Sequence, residues 1–524
     1  MARILYYGGD ILTMEKGLYT EAVLVEDGKI LAVGKQSELE HAAGERIRKI
    51  NLNGRTMLPA FIDPHSHITA VAQTLGMLSL GDAKSLEEIA DALRDFKSRQ
   101  NLRPGDWIIG FGYDHNFLEE KCHPDKTILD AAEPDHPVLI THASGHMGCA
   151  NSKALQALGI TAETPSPEGG VIGRMPDGRE PNGYLEETAF TAIAPKVGAP
   201  SQEQLLYQLE KAQLLYLRHG ITTAQEGLTK TGEWALLRAL AEKSKLKLDV
   251  VSYIDLRDAQ ALLEENTDYL HYQNRLRIGG YKLFLDGSPQ GRTAWVSEPY
   301  LGGEAGYCGY PIYSDAQVAA YMRTAVEQGR QLLVHCNGDA VAQQMIDCWQ
   351  AAGGRQELRP VMIHAQLVRQ EQLEEMAELG MIASFFVDHT YFWGDVHWQN
   401  FGPERAQRIS PVRTALRKGV TYTFHQDSPV IEPNMLMTLW SAVNRVSKEG
   451  RNMGEEERVT PLEALRAVTI NAAYQYFEED RKGSICPGKL ADFVILDRNP
   501  LEVAPTELRE LQVLQTIKEG IAQL

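Results

Sequence analysis

The 524-residue sequence predicts a (β/α)8 TIM barrel, with a small β domain built from both termini and an insertion after the first barrel strand. Three observations lead there. The middle of the chain alternates short apolar runs with amphipathic helical stretches, which is the signature of βα units around a parallel sheet. Eight such runs can be counted, enough to close a barrel. Both ends of the chain, by contrast, are β-rich and turn-rich.

At the N-terminus, residues 2–14 and 21–35 are apolar-rich, and Asp27-Gly28 inside EAVLVEDGKILAVG is a hairpin turn signal. At the other end, GSICPGKLADFVILD (483–497) is a turn-rich entry to an apolar strand, and LQVLQTIKEG supplies another short strand. We therefore expect residues 1–58 and 475–524 to form one shared β domain, and residues 59–474 the barrel.

The eight core runs are TMLPAFID (56–63), GITTAQEG (220–227), LKLDVVSYID (246–255), IGGYKLFLDG (278–287), RQLLVHCNGD (330–339), RPVMIHAQ (359–366), GMIASFFVD (380–388) and GVTYTFHQD (419–427). Most follow a helical stretch ending in Gly or a basic residue, as in YLRHGIT and ALRKGVT. A doubly wound open sheet is the competing architecture. It calls for a G-x-G-x-x-G loop between a strand and a helix, and none is present. About 150 residues separate the first run from the second, too many for a βα crossover. This interval has apolar strands of its own, DWIIGFGYD (106–114) and HPVLITHASGH (136–146). It reads as an insertion at about 75–200, placed at the barrel mouth and shaping the substrate pocket.

Composition narrows the function classes. A net charge of -18 argues against a general nucleic-acid binder, which would carry a basic patch or stripe. The N-terminus lacks a basic segment followed by an apolar stretch, and no run of about 18 apolar residues could span a membrane. Neither a signal peptide nor a membrane partner is expected. The six cysteines (Cys122, Cys149, Cys308, Cys336, Cys348 and Cys486) include no C-x-x-C pair, so a reducing cytoplasm is the simplest setting.

Polar residues recur at the ends of the core runs, where barrels of this kind place their active sites. The first run ends in His65 and His67, the fourth holds Lys282 and Asp286, the fifth ends in His335, the sixth in His364 and the eighth in Asp427. Residues i and i+2 of a strand point to the same face, roughly 6.6 Å apart along it. His65 and His67 can thus converge on one ion at Zn–N distances of about 2.0–2.1 Å. A lone His335 or His364 would read equally well as a hydrogen-bonded core residue; their recurrence on successive runs favours a shared site. A buried Asp427 needs a cation or another partner, although Ser428-Pro429 after it also allows a helix N-cap. Lys282, inside a strand, needs a depressed pKa or a chemical modification beside metal ions. A pairing of Lys282 with Asp286 is the plainer alternative.

The motifs PAFIDPHSH (59–67), YKLFLDGS (281–288), VHCNGDAVA (334–342), IHAQ (363–366), HQDSPV (425–430) and GSICPGKLADFVILD (483–497) resemble the amidohydrolase superfamily. Within it they are most similar to amidohydrolase family 3, the YtcJ-like branch that includes N-substituted formamide deformylase. The resemblance runs almost end to end. It implies a distorted (β/α)8 barrel with a small β-sandwich made by both termini. It also implies a centre of one or two divalent metal ions, often zinc. His65, His67, His335, His364 and Asp427 match the family's ligand positions. Lys282 matches a lysine that many members carboxylate with CO2 so that its carbamate bridges the metals. The chain departs from the common DSHVH-like form with DPHSH, and a small residue before the eighth-strand aspartate is replaced by His425-Gln426. Neither change removes a ligand.

Further residues are candidates for substrate contact. His146 in THASGHMG resembles a recurrent family histidine, and a surface-loop histidine is its alternative; His142 lies in the same stretch. Asp114 and His115 end another apolar run. Arg292 suits an anionic group or a developing oxyanion, and pairing with an acidic residue in its loop is an equal alternative. His389, Trp393 and Asp395 follow the seventh run, while Tyr391 and Phe392 beside them suit packing.

The expected chemistry is hydrolysis of a non-peptide C–N bond in a small amide-type substrate by metal-activated hydroxide, with Asp427 as general base and then general acid. Deaminases of the same superfamily are the nearest rival. The resemblance implies that they carry a glutamate three residues after the fifth-strand histidine, where this chain has Gly338, and that they lack the fourth-strand lysine. A non-catalytic metal-binding scaffold is a rival of another class, but all six candidate ligand positions are filled. Formamides, N-acyl amino acids and cyclic amides all stay open as substrates, as does homo-oligomer formation.

Overall fold

The computed structural model describes residues 3–44, 47–115, 118–142, 147–167, 170–193, 197, 200–302 and 305–523. The chain divides into two compact units, Met1–Thr69 with Gln213–Leu524, and Ala70–Ala212.

The first unit is built around an all-parallel sheet of eight strands. In order across the sheet they are Phe61–Ile62, Ile221–Thr229, Asp249–Asp255, Leu276–Phe284, Gln331–Cys336, Val361–His364, Ile382–Phe385 and Tyr422–Phe424. Each falls on one of the eight runs expected from the sequence; six lie wholly inside theirs, while Ile221–Thr229 runs two residues past the end of its run and Leu276–Phe284 starts two residues before its own. Their apolar character has a simple cause: every residue of Asp249–Asp255 and of Val361–His364 is buried, as strands covered by helices on one side and filled by side chains on the other must be. The helix Val412–Lys418 ends on Gly419 at φ 79°, a left-handed cap that glycine adopts freely, so the chain turns directly into the eighth strand. The sheet is curled and barrel-like. Its first and last strands are not joined by a ladder. Instead the His67 N–H donates to the Ser428 carbonyl at 2.8 Å and the Ile62 N–H to the Val468 carbonyl at 2.9 Å.

The two ends of the chain share a second sheet. Its path runs Ile521–Ala522, Val513–Lys518, Phe493–Leu496, Thr56–Pro59, Arg3–Leu12, Tyr19–Glu26, Lys29–Gly34, with Ile47–Asn51 also pairing with Arg3–Leu12. Phe493 faces Pro59 across an antiparallel register, which stitches the C-terminal strands to the segment that leads into the barrel. Asp27 and Gly28 both hold positive φ, 48° and 78°, as a two-residue hairpin turn requires. Alternation along the strands divides the apolar side chains. Tyr6, Val23, Val25, Phe493 and Ile517 gather in one cluster, and Leu5, Leu24, Leu39 and Ala43 in another.

A buried ion network ties this sheet to the barrel. Lys518 Nζ donates to Asp249 at 2.8 Å and to Asp492 at 2.7 Å, and Lys482 Nζ donates to Asp249 at 2.6 Å. Glu478 lies 2.8 Å from Lys482. Burial opposes ionisation of Asp249, but Lys482 and Lys518 outweigh it and hold the carboxyl well below its usual range.

The second unit has a six-stranded sheet, in order Gly170–Arg174, Pro181–Glu187, Met147–Ala150, Val138–His142, Ile108–Tyr113 and Leu78–Ser79. Helix Leu86–Arg99 starts on Ser85, whose side chain accepts from the Glu88 N–H, and buries Ile89, Leu93 and Phe96. These pack with Ile108, Leu129, Val138 and Ile140 in one core, while Leu139, Leu155, Leu185 and Phe190 form another. Among the described residues no helix is long and apolar enough to cross a membrane. All six cysteines are free thiols.

The network gives the first prediction. Asp249→Asn leaves Lys482 and Lys518 buried around a neutral amide, and removing one partner of a buried ion pair typically costs about 3–5 kcal/mol. We expect the midpoint of denaturant-induced unfolding to fall accordingly. A variant as stable as the parent would show that the network adds nothing to the fold.

Candidate metal centre

Six of the expected residues meet at the carboxyl ends of the barrel strands. His65 and His67 follow the first strand, Lys282 lies on the fourth, His335 on the fifth, His364 ends the sixth and Asp427 follows the eighth. His65, His364 and Lys282 are buried, while His67, His335 and Asp427 keep partial exposure.

Their inward atoms are close. Asp427 Oδ1 is 3.3 Å from His65 Nε2 and 3.4 Å from His67 Nε2. Lys282 Nζ is 3.1 Å from His65 Nε2. His335 Nδ1 and His364 Nε2 face each other at 3.0 Å, and Asp427 Oδ2 lies 3.9 Å from His364 Nε2. Ligand atoms on a tetrahedral zinc ion with arms of about 2.05 Å are roughly 3.3 Å apart. The spacing of His65, His67 and Asp427 matches that edge. Asp427 Oδ1 is buried and accepts no hydrogen bond among the described residues. An ionised oxygen so placed calls for a cation.

The outer nitrogens explain how the inner ones are presented. His65 Nδ1 is 2.6 Å from Gln225 Oε1, and His335 Nε2 is 3.0 Å from the Gly287 carbonyl. Each of these oxygens can only accept, so His65 carries its proton on Nδ1 and His335 on Nε2. The lone pairs are left at His65 Nε2 and His335 Nδ1, both facing inward. His364 Nδ1 meets His425 Nε2 at 3.1 Å, and His425 Nδ1 meets Ser384 Oγ at 2.8 Å. With His425 protonated on Nδ1, His364 donates from Nδ1 and its Nε2 faces inward unprotonated. His67 Nδ1 lies 3.7 Å from Glu226 Oε1, and Glu226 itself accepts from the Thr69 N–H and hydroxyl at 2.9 and 2.7 Å. Metal-binding histidines are held through their second nitrogen in this way.

The electrostatics follow from burial. It lowers His65 to about 4 and His335 to about 3, with Lys282 adding to both, so these imidazoles are neutral at neutral pH. Burial lowers Lys282 to about 7. His67 behaves oppositely: burial works against its charge, but Asp427 and Glu226 raise it to about 9. Asp427 is held well below the usual carboxylate range by the His65 and His67 rings, although burial pushes it the other way.

The plainer readings of two residues do not describe what is seen. Asp286 takes no contact from Lys282; it accepts the backbone N–H groups of Asn337, Gly338 and Trp295 at 3.0, 2.9 and 3.1 Å. Burial pushes it up to about 7 against those three bonds. Asp427 caps no helix: the next begins at Met435, and Asn434 is its cap.

The other candidates scatter. His389 is buried, with Nδ1 3.0 Å from His397 Nε2 and its ring 4.6 Å from those of Phe386 and Trp393. Arg292 donates to Asn400 Oδ1 on the helix Gly394–Gln407 at 2.8 Å and to the Gly302 carbonyl at 2.6 Å, both neutral partners and neither the acidic loop residue that the sequence allowed. Asp395 accepts from Ser447 and Arg451 at 2.7 and 2.8 Å and braces a loop, while the Tyr391 and Phe392 rings pack 5.2 Å apart. Asp114, His115 and His142 cluster within the 70–212 unit. His146 lies outside the described residues. Gln225, Glu226, Ser384 and His425 were not singled out as members of the site. Gln225 and Glu226 sit in the second core run beside the expected ligands, and His425 is two residues before Asp427, so the same i, i+2 reasoning used for His65 and His67 could have found it.

Comparison with known proteins follows the same lines. A family model described as the amidohydrolase family matches residues 48–521. The chain is 30% identical to the Bacillus subtilis (strain 168) protein YtcJ, over 99% of this chain and 98% of that protein. It is 29% identical to N-substituted formamide deformylase of Arthrobacter pascens, over 96% of this chain and 94% of that one. Among solved structures, an uncharacterized metal-dependent hydrolase from Pyrococcus horikoshii is 25% identical with a TM-score of 0.76, covering 96% of this chain and 99% of that chain.

A pH dependence follows from His67. To bind an ion it must lose the proton that Asp427 and Glu226 hold on it to about 9. The apparent zinc affinity of the metal-free protein should therefore climb as pH rises toward that value, with protons released on binding. Calorimetric titration in buffers of different ionisation enthalpy reads both. A flat affinity across neutral to mildly alkaline pH would contradict the assignment.

Proposed function

The chain belongs to the amidohydrolase family, and we propose that it is a metal-dependent hydrolase that cuts an amide-type C–N bond, other than a peptide bond, in a small molecule. The observation that carries this reading is Asp427. Its Oδ1 is buried without a hydrogen-bond donor and flanked at 3.3 and 3.4 Å by two imidazole nitrogens. The formamide deformylase among its relatives supports an amide-type bond.

In this reading His65, His67 and Asp427 hold one divalent ion, zinc by the donor set, and His335 and His364 hold a second. Lys282 stands beside His65 and, carboxylated by CO2, would supply a further oxygen donor to the ions. Its buried, depressed amine is the form that reacts with CO2. Ions bound there polarise a substrate carbonyl and lower the pKa of water. Asp427 takes the proton from the attacking water and returns it to the leaving nitrogen. An amide needs that second transfer, because an unprotonated amide nitrogen leaves very poorly. Gln225 and Glu226 keep His65 and His67 oriented. His389, Trp393, His146 and Asp114 are candidates for substrate contact.

Deamination is disfavoured at position 338. A Cβ built on Gly338 would lie 1.8 Å from the Trp295 carbonyl oxygen, so no acidic side chain fits there.

Screening metal-loaded protein against a library of formamides, N-acyl amino acids and cyclic amides tests the activity. Asp427→Asn tests the mechanism. Proton transfer by a placed group contributes about 10²–10⁴-fold in rate, so this variant should lose at least about a hundredfold in kcat at matched metal occupancy. Near-parental turnover would remove Asp427 from the chemistry. Loading the protein with metal in CO2-free buffer should leave the two-ion form incomplete until bicarbonate is added. Full occupancy without it would rule out a lysine carbamate.

A further inference from the structure

We propose that the unit of residues 70–212 carries a second, independent site for a zinc-type divalent ion, made by Asp114, His115 and His142. His115 Nδ1 and His142 Nε2 are 3.3 Å apart. Asp114 Oδ1 is 3.3 Å from His142 Nε2 and 3.8 Å from His115 Nδ1. Two of these three separations equal the tetrahedral edge of roughly 3.3 Å, and the third is slightly longer. Both this group and His65, His67 and Asp427 bring two imidazoles and a carboxylate within 4.8 Å of one another.

The local fold explains the convergence. Ile108–Tyr113 and Val138–His142 are neighbouring parallel strands, with Tyr113 in register with His142. Asp114 and His115 follow directly after Tyr113, so all three ligands gather at one end of a strand pair. The imidazole of His123 stacks on that of His115 at 4.1 Å and an interplanar angle of 31°, and its Nδ1 is tied to the Tyr113 hydroxyl at 3.1 Å. His142 is buried, while Asp114 and His115 are half-buried, which leaves the ion an approach.

The donor set selects the ion. Two imidazoles and one carboxylate suit zinc and its first-row neighbours; calcium and magnesium demand oxygen ligands. With three protein ligands, a fourth position stays available to water or to a ligand group. An ion here would clamp the ends of the two strands together. The inference does not depend on the reaction carried out in the barrel.

The test uses the full chain with the barrel site disabled by His65→Ala and His67→Ala. Cobalt(II) serves as probe, because tetrahedral coordination gives it strong visible absorption. We expect this variant to bind cobalt in the 70–212 unit, and the further change His142→Gln to remove about one equivalent per chain. In the parent background, His142→Gln should likewise lower bound zinc by about one equivalent. Circular dichroism and the unfolding midpoint show whether each variant is folded. Unchanged stoichiometry on His142→Gln in either background would overturn the second site and leave the barrel centre untouched. Loss of zinc from the barrel variants alone would bear on the barrel and not on this site.

Discussion

Everything at the carboxyl end of the barrel depends on one electrostatic constraint: the inward nitrogens of His65, His335 and His364 are unprotonated and face each other or the Asp427 carboxylate across 3.0–3.3 Å. Lone pairs at that range repel. The arrangement persists because each ring is pinned from behind, by Gln225, the Gly287 carbonyl or His425, and because the strands beneath are fully buried. The backbone shares the cost. His364, Ala365 and Asp427 hold φ of 74°, 47° and 54°, a region that side chains other than glycine enter at about 1–3 kcal/mol each. Three such residues at the ends of two barrel strands place the strain where the ligands are, and a bound cation is what would offset it.

Rigidity for this arrangement comes from below. Val251, Leu333, Val361, Ile363 and Ile382 fill the barrel interior with Tyr476. The Tyr476 hydroxyl donates to the Asp63 carbonyl at 2.8 Å and accepts from Gln225 at 2.9 Å, so the residue that orients His65 is itself anchored to the barrel floor. The shared terminal sheet locks the same floor through Lys518 and Asp249. The ends of the chain thus contribute to the site at long range, by limiting how far its strands can shift.

The barrel was largely legible because parallel strands covered on both faces must be apolar runs, and eight such runs stand out in the sequence. The convergence of residues at the strand ends was legible because polar residues at the ends of apolar runs violate that pattern, and His65, His67, Lys282, His335, His364 and Asp427 all do. What escaped has a physical reason too. Ser384 acts through His425 and touches no strand-end residue itself, so no spacing marks it, whereas His425 was within reach of the i, i+2 pattern that marks Asp427. Arg292 looked like an anion-binding residue, but its positive φ of 58° and its bonds to Asn400 and Gly302 arise from a loop path that local sequence does not encode. The cluster of Asp114, His115 and His142 forms only because two strands lie in register, which periodicity within one strand cannot reveal.

The central claim is that the inward-facing donors exist to hold a cation. Diffraction from zinc-loaded crystals, with anomalous data collected on both sides of the zinc edge, tests it most directly. An anomalous peak is expected at about 2.0–2.2 Å from Asp427 Oδ1 and from the Nε2 atoms of His65 and His67. A zinc-replete crystal with no peak there, and with Asp427 turned to a hydrogen-bond donor instead, would contradict it.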